Sequence, residues 1–233
     1  MSFADHVHPH GPITEVVPGI WQVTGSLPRS PLPRNMAIVP IEGGLLLHSV
    51  VALDPGTMDE LEALGTPKVM VVPSAFHRSD AAVYKERYPE ILVVAPKAAI
   101  SQVEQVVKVD ESAQNVLPNL GIQIIDPPGC KAGELIYEVD VEGGRALILC
   151  DMLFNIQEHQ PGCLGLVFRY ITRSSGFFGI TGLGRVLMLK DAGMLKAWLE
   201  QQAARDDLKA ILVGHGDAIV NCREMLESAQ ARL

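Results

Sequence analysis

The chain has 233 residues, 48 % of them hydrophobic, which suffices for a packed core and excludes a disordered or fibrous protein. Its 19 Lys+Arg against 27 Asp+Glu leave a net charge of −8. That balance argues against nucleic acid or an anionic membrane as partner, because phosphate binding draws on a basic face.

In chain order, Glu15–Val23 (EVVPGIWQV) and Met36–Pro40 read as strands, and the proline-rich Leu27–Arg34 between them as an extended loop. A turn at Glu42-Gly43-Gly44 leads into Leu45–Leu53, an apolar run of the kind a strand buried on both faces shows. Thr57–Leu64 predicts a helix with Thr57 as N-cap and Glu60 in the capping-box position. Lys68–Val72 and Ile91–Ala95 predict short buried strands on either side of a helix at Asp80–Tyr88, a βαβ unit. A helical segment near Ala98–Val107 precedes strands at Gly121–Ile125, Leu135–Val141 and Ala146–Leu149, with Gly143-Gly144 as a hairpin turn. Asn155–Gly184 is glycine-rich and aromatic and reads as a long surface excursion or loose helical insertion. Asp191–Arg205 and Asn221–Arg232 are helices around a buried strand at Ala210–Val213. Residues 1–14 are expected as a flexible segment and residues 15–233 as a single domain.

The N-terminus lacks the basic and apolar regions of a signal peptide, and no apolar stretch approaches the roughly 20 residues of a membrane span. Cys130, Cys150, Cys163 and Cys222 are scattered and form no C-x-x-C, so free thiols in a reducing, cytoplasmic compartment are expected. His6, His8 and His10 alternate towards one side of an extended chain, but a flexible terminus is a poor active site. His48 reads as a core histidine, and Cys150, one residue before Asp151, is expected by strand alternation to point away from it. Gly182-x-Gly184 has no preceding strand and is discounted for phosphate binding.

Several predicted strands run into residues that bind metals or protons: Ser74 to Asp80 (SAFHRSD), Pro128-Gly129-Cys130, Asp151, and His215-Gly216-Asp217. Ligands in such architectures sit beyond strand ends, so these groups can converge on one cleft. Their order resembles the metallo-β-lactamase superfamily, with T-H-x-H-x-D-H, P-G-H, a strand ending in G-D and a strand ending in G-H. Here the corresponding stretches read VPSAFHRSDAAV, PGCKAGE, LCDMLF and VGHGD, and the opening PGIWQV is also similar. Within the superfamily the chain resembles a branch with LHS-V-A-L-D, P-x-x-x-H and A-D-L-L-F-N, matched by Leu47–Asp54, Pro73–His77 and Cys150–Asn155.

The resemblance implies an α+β fold, an αββα sandwich of two mixed sheets flanked by helices. It also carries the ligand positions onto Ala75, His77, Ser79, Asp80, Cys130, Asp151 and His215, of which His77, Asp151 and His215 are unchanged. The implied metal set is His77, Cys130, Asp151 and His215, binding zinc or iron, with Asp151 and Asp80 as catalytic carboxylates. Loss of ligands at Ala75 and Ser79 limits the site to one metal, and Asp80 is expected to take a water or a hydrogen bond from His215. Two readings follow: a metallo-hydrolase-like protein acting on an unknown small molecule, or a catalytically silent binding or interaction protein without metal. The apolar stretch Gly162–Gly184 favours cover by the cleft or by a second subunit in a homodimer.

Overall fold

Period-two alternation sorts strand side chains to two faces, and here each face ends in a different core. The computed structural model describes residues 2–27, 30–159 and 165–233. Its larger sheet has seven strands in sequence order: β1 (Thr14–Val17), β2 (Ile20–Leu27), β3 (Ser30–Ile41), β4 (Gly44–His48), β5 (Pro67–Val71), β6 (Leu92–Ala95) and β7 (Glu111–Ser112). The first four form an antiparallel meander, and β4 to β7 run parallel. The second sheet contains β8 (Gln123–Ile125), β9 (Ile136–Val141), β10 (Gly144–Ile148) and β13 (Leu208–Leu212) in the order β13-β10-β9-β8, antiparallel except where β10 meets β13. β11 (Phe154–Ile156) and β12 (Phe177–Gly179) form a separate antiparallel pair.

Ile38, Leu47, Met70 and Val93 of the larger sheet meet Met58 and Leu61 of α1 (Pro55–Leu64), Tyr84 of α2 (Ala81–Arg87) and Val103 of α3 (Ile100–Val103). Their chain neighbours Val39, Leu46, Val71 and Val94 face the other way, onto Tyr137, Val139, Ala146, Ile148 and Leu212 of the second sheet. Short helices α4 (Ala113–Val116) and α5 (Gly182–Leu187) precede two longer ones, α6 (Ala192–Ala203) and α7 (Cys222–Ala231). Leu147 and Ile211 pack outward on Leu195, Trp198 and Leu199 of α6 and Leu226 of α7. The result is the expected αββα layering, with two sheets pressed together and helices outside. Among the described residues no helix is long and apolar enough to cross a membrane.

Three local expectations are corrected. Residues Ser30–Arg34 are strand, not loop: Ser30, Pro33 and Arg34 pair with Leu27, Ser26 and Gly25 of β2. β4 pairs only with Ala37–Ile41, so this proline-containing half of β3 has a ladder on one side, where missing N–H groups are tolerated. The N-cap of α1 is Asp54, whose carboxylate accepts from Thr57 N at 3.0 Å, and Pro55 takes the first helical position. The apolar run from Leu45 leaves the sheet at Ser49, which has φ +60°. The excursion after Asn155 holds β12, α5 and a π-helical turn at Val167–Ile171; Phe178 is buried within it, while Tyr170 and Ile171 are exposed. Residues 160–164, with Cys163, lie outside the described residues.

The N-terminal segment packs on the larger sheet's helical layer. Phe3 lies 5.5 Å from the Tyr84 ring, His6 Nδ1 is 3.1 Å from Asp80, and His10 Nε2 accepts from Asp54 N at 2.9 Å.

Candidate active site

A cleft of about 720 Å³ opens where strands of both sheets end. Its walls include Leu32, Phe76, Ala99, Phe154, Leu183 and Leu187, and its polar floor has Ser74, His77, Glu134, Asp151 and His215. Four of the floor residues stand beyond strands, and Glu134 lies two residues before β9. Ser74 and His77 follow β5, Asp151 follows β10, and His215 follows β13.

Asp151 is the hub. Its Oδ1 lies 3.1 Å from His77 Nε2 and 3.0 Å from His215 Nε2, and Ser74 Oγ donates to its Oδ2 at 3.4 Å. The other nitrogen of each imidazole is also occupied: His215 Nδ1 donates to the Pro33 carbonyl at 2.6 Å, and His77 Nδ1 is 2.8 Å from Ser49 Oγ. With its Nδ1 proton on Pro33, a neutral His215 turns an Nε2 lone pair towards a carboxylate oxygen. That contact is repulsive unless a cation, a proton or a metal ion, mediates it. Metal-bound histidines characteristically tie their second nitrogen to a carbonyl or other acceptor in this way. The Ser49 hydroxyl can donate or accept, so it serves His77 in either state.

The loop carrying His215 is fixed from the opposite sheet. Asn35 N donates to the Gly214 carbonyl at 2.9 Å, and Asn35 Nδ2 donates to the carbonyls of Val213 and Gly216. Gly216 has φ +97°, and a Cβ there would overlap the Asn155 carbonyl. Asn35 belongs to no motif the sequence presents, whereas Gly216 stands in VGHGD, where a glycine hints at a turn.

Burial alone would raise the Asp151 carboxyl, but the facing His77 and His215 hold it well below the usual carboxylate range. Glu134 behaves oppositely. Burial first, then the Asp151 charge, push it up to about 8, against the bonds donated by the Asp151 and Met152 backbone. Its Oε2 accepts from Asp151 N at 2.7 Å, whereas the buried Oε1 has no partner among the described residues; Glu134 as a residue lines the cleft. In the folded chain Glu134 keeps its proton to about pH 8, against an ordinary value of 4.5. Unfolding therefore releases a proton between those values, and this group makes the fold less stable as pH rises. Glu134→Gln is expected to flatten that fall: urea midpoints compared at pH 5 and pH 8 should differ less in the variant than in the wild type, and equal differences would contradict the assignment.

The remaining site expectations divide. His77, Asp151 and His215 come together, but Cys130 does not join their ligand atoms. Its backbone bridges Leu189, and its side chain packs on the outer core beneath α6 and α7. Burial and the nearby Glu134 push its thiol up to about 11. Cys150 instead turns towards the site: its Sγ, a His77 nitrogen and an Asp151 oxygen all lie within 4.8 Å of one another. Alternation fails there because β10 ends at Ile148 and the chain bends through Cys150 and Asp151. Asp80 bonds to Arg34, to Ala52 N at 2.9 Å and to His6, not to His215. This buried carboxylate fixes Arg34, which itself borders the cleft. His48 is buried beside Tyr137, with ring centroids 5.2 Å apart, and burial above all, then His77, lower it to about 3, so it stays neutral in the core. Ser79 is exposed and does not border the cleft, and Ala75 borders it without a donor group.

Imidazole, carboxylate and thiol donors converging at 4.8 Å fit zinc or iron better than magnesium or calcium, which prefer all-oxygen shells. The separation needs only modest closure, since tetrahedral zinc with 2.0–2.3 Å bonds sets donors roughly 3.5 Å apart.

No protein-family model matches the chain, and no curated protein matches it. Solved structures do. Metallo-β-lactamase FIM-1 from Pseudomonas aeruginosa in its mono-zinc form superposes with TM-score 0.59 at 15% identity, over 95% of this chain and 96% of that one. A metallo-β-lactamase from Erythrobacter litoralis gives 0.61 at 14%, over 95% and 96%, and one from Hirschia baltica 0.61 at 13%, over 95% and 97%. Similarity at this level of identity concerns the backbone, and it agrees with the two-sheet layering and the strand-end cleft: the chain has the metallo-β-lactamase fold.

Proposed function

We propose that the protein is a metal-dependent hydrolase of a small molecule, with at most one metal per chain, held by His77, Asp151 and His215. The observation that carries this reading is the pair of imidazole Nε2 atoms aimed at one Asp151 oxygen, with each Nδ1 already tied to a second partner. The solved metallo-β-lactamases of the same fold, one of them a mono-zinc form, support it. A divalent ion there supplies Lewis acidity, polarising a carbonyl or phosphoryl oxygen and acidifying water.

The chain's own groups account for the rest. Pro33 and Ser49 orient the two imidazoles, and Ser74 holds the second Asp151 oxygen. Apolar walls keep bulk water from the floor and strengthen electrostatic interactions there. Glu134 lines the cleft and its buried Oε1 is unpartnered among the described residues, which makes this carboxyl the candidate to exchange a proton with a bound group. The absence of donors at Ala75 and of a cleft-facing group at Ser79 supports one metal rather than two.

The same contacts also favour a second reading, a silent scaffold in which a proton replaces the metal between His215 and Asp151 and closes the network. Zinc content separates the two. After zinc loading and exhaustive dialysis, elemental analysis should find close to one zinc per wild-type chain and far less in Asp151→Asn. Zinc near zero in both would favour the silent scaffold, and two in the wild type would refute the single-metal site.

A further inference from the structure

We infer that Cys150 supplies a sulfur ligand to this site, a donor from the residue immediately before Asp151; the inference rests on the metal-binding reading above. Among the described residues, His77, Cys150 and Asp151 are the group whose ligand atoms all lie within 4.8 Å of one another. Cys150 is fully buried, so its sulfur is shielded from solvent. The bend after β10 puts consecutive side chains on the same side, which a continuing strand forbids. Gly214 completes the arrangement. Its N–H donates to the Cys150 carbonyl at 3.2 Å, and a Cβ on Gly214 would press on that carbonyl at 3.0 Å, so the strand leading to His215 fixes the Cys150 backbone.

The other described thiols are placed elsewhere. Cys130 packs on the outer core, and Cys222 starts α7, with its Sγ 3.6 Å from the Ile219 carbonyl. On metal binding the S–H bond of Cys150 breaks, a sulfur–metal bond forms and the proton passes to the buffer, so no oxidant or reductant takes part. A set with one sulfur, one carboxylate and imidazole selects zinc, cobalt or ferrous iron over magnesium and calcium.

X-ray absorption at the zinc edge of the loaded full-length protein tests this without measuring turnover. The wild type should show one sulfur scatterer at about 2.3 Å with nitrogen or oxygen neighbours. A variant with Cys130→Ser, Cys163→Ser and Cys222→Ala, in which Cys150 is the remaining thiol, should keep that sulfur. Cys150→Ser should lose it, and its circular dichroism would establish whether it is folded. Zinc bound to the wild type with nitrogen and oxygen neighbours alone would overturn the sulfur assignment and leave the metal site standing. Loss of sulfur in the folded variant that keeps Cys150 as its one thiol would overturn it as well. Failure of the wild type to bind zinc would overturn the metal reading and this inference with it.

Discussion

Gly216→Ala should be among the most damaging single substitutions in the protein, costing about 4 kcal/mol from steric overlap and backbone strain together. The methyl group has no room, because the Asn155 carbonyl occupies its place, and φ +97° is a conformation that alanine resists. The parallel bridge between Asn155 and Gly216 would have to open, and with it the bonds that Asn35 makes to the Val213 and Gly216 carbonyls. His215 sits inside that clamp. The urea midpoint should fall sharply, and any folded fraction should bind zinc more weakly than the wild type. A midpoint within experimental error of the wild type would show that the loop is free to move and that His215 is not held as described.

Asp80→Ala is the second large effect expected. Its carboxylate is the anionic partner of the buried Arg34 and also accepts from Ala52 N. Removing one member of a buried ion pair leaves the other charge uncompensated, at a typical cost of about 3–5 kcal/mol. Arg34 is already short of partners, since its Nε is unbonded among the described residues. Combining Asp80→Leu with Arg34→Met should recover most of the loss, because a packed apolar pair avoids the desolvation penalty. If the double variant is as unstable as Asp80→Ala, the packing around the pair and not its charge is what matters. The same contacts make Asp80 a structural partner of the cleft, so converting it to histidine to rebuild a second metal position should unfold the protein before it adds a ligand.

The strands were legible because runs such as LLLH and LVVA are rich in apolar and β-branched residues and bounded by turns, and the two-sheet layering followed from resemblance in strand-end motifs. The helix start at Asp54 was readable in principle: both Asp54 and Thr57 are good caps, and Pro55 decides between them. Prolines misled at Ser30–Arg34, where their effect depends on whether a neighbouring strand asks for an N–H, a fact of tertiary pairing. In the site, His77, Asp151 and His215 stood at strand ends and were found. Strand alternation hides Cys150, because β10 ends before it and the period-two pattern no longer holds there. The role of Asp80 is not legible locally, because its partner Arg34 lies 46 residues away. Asn35, Ser49 and Glu134 matter through long-range contacts, and such contacts leave no local spacing to read.

The proposed site holds one metal where two imidazoles meet Asp151. Anomalous diffraction from zinc-loaded crystals, collected on both sides of the zinc absorption edge, tests it most directly. A single strong peak per chain is expected within bonding distance of His77 Nε2 and an Asp151 oxygen, at the floor of the cleft. Data with no anomalous peak at Asp151, from crystals of protein shown to contain zinc, would contradict it.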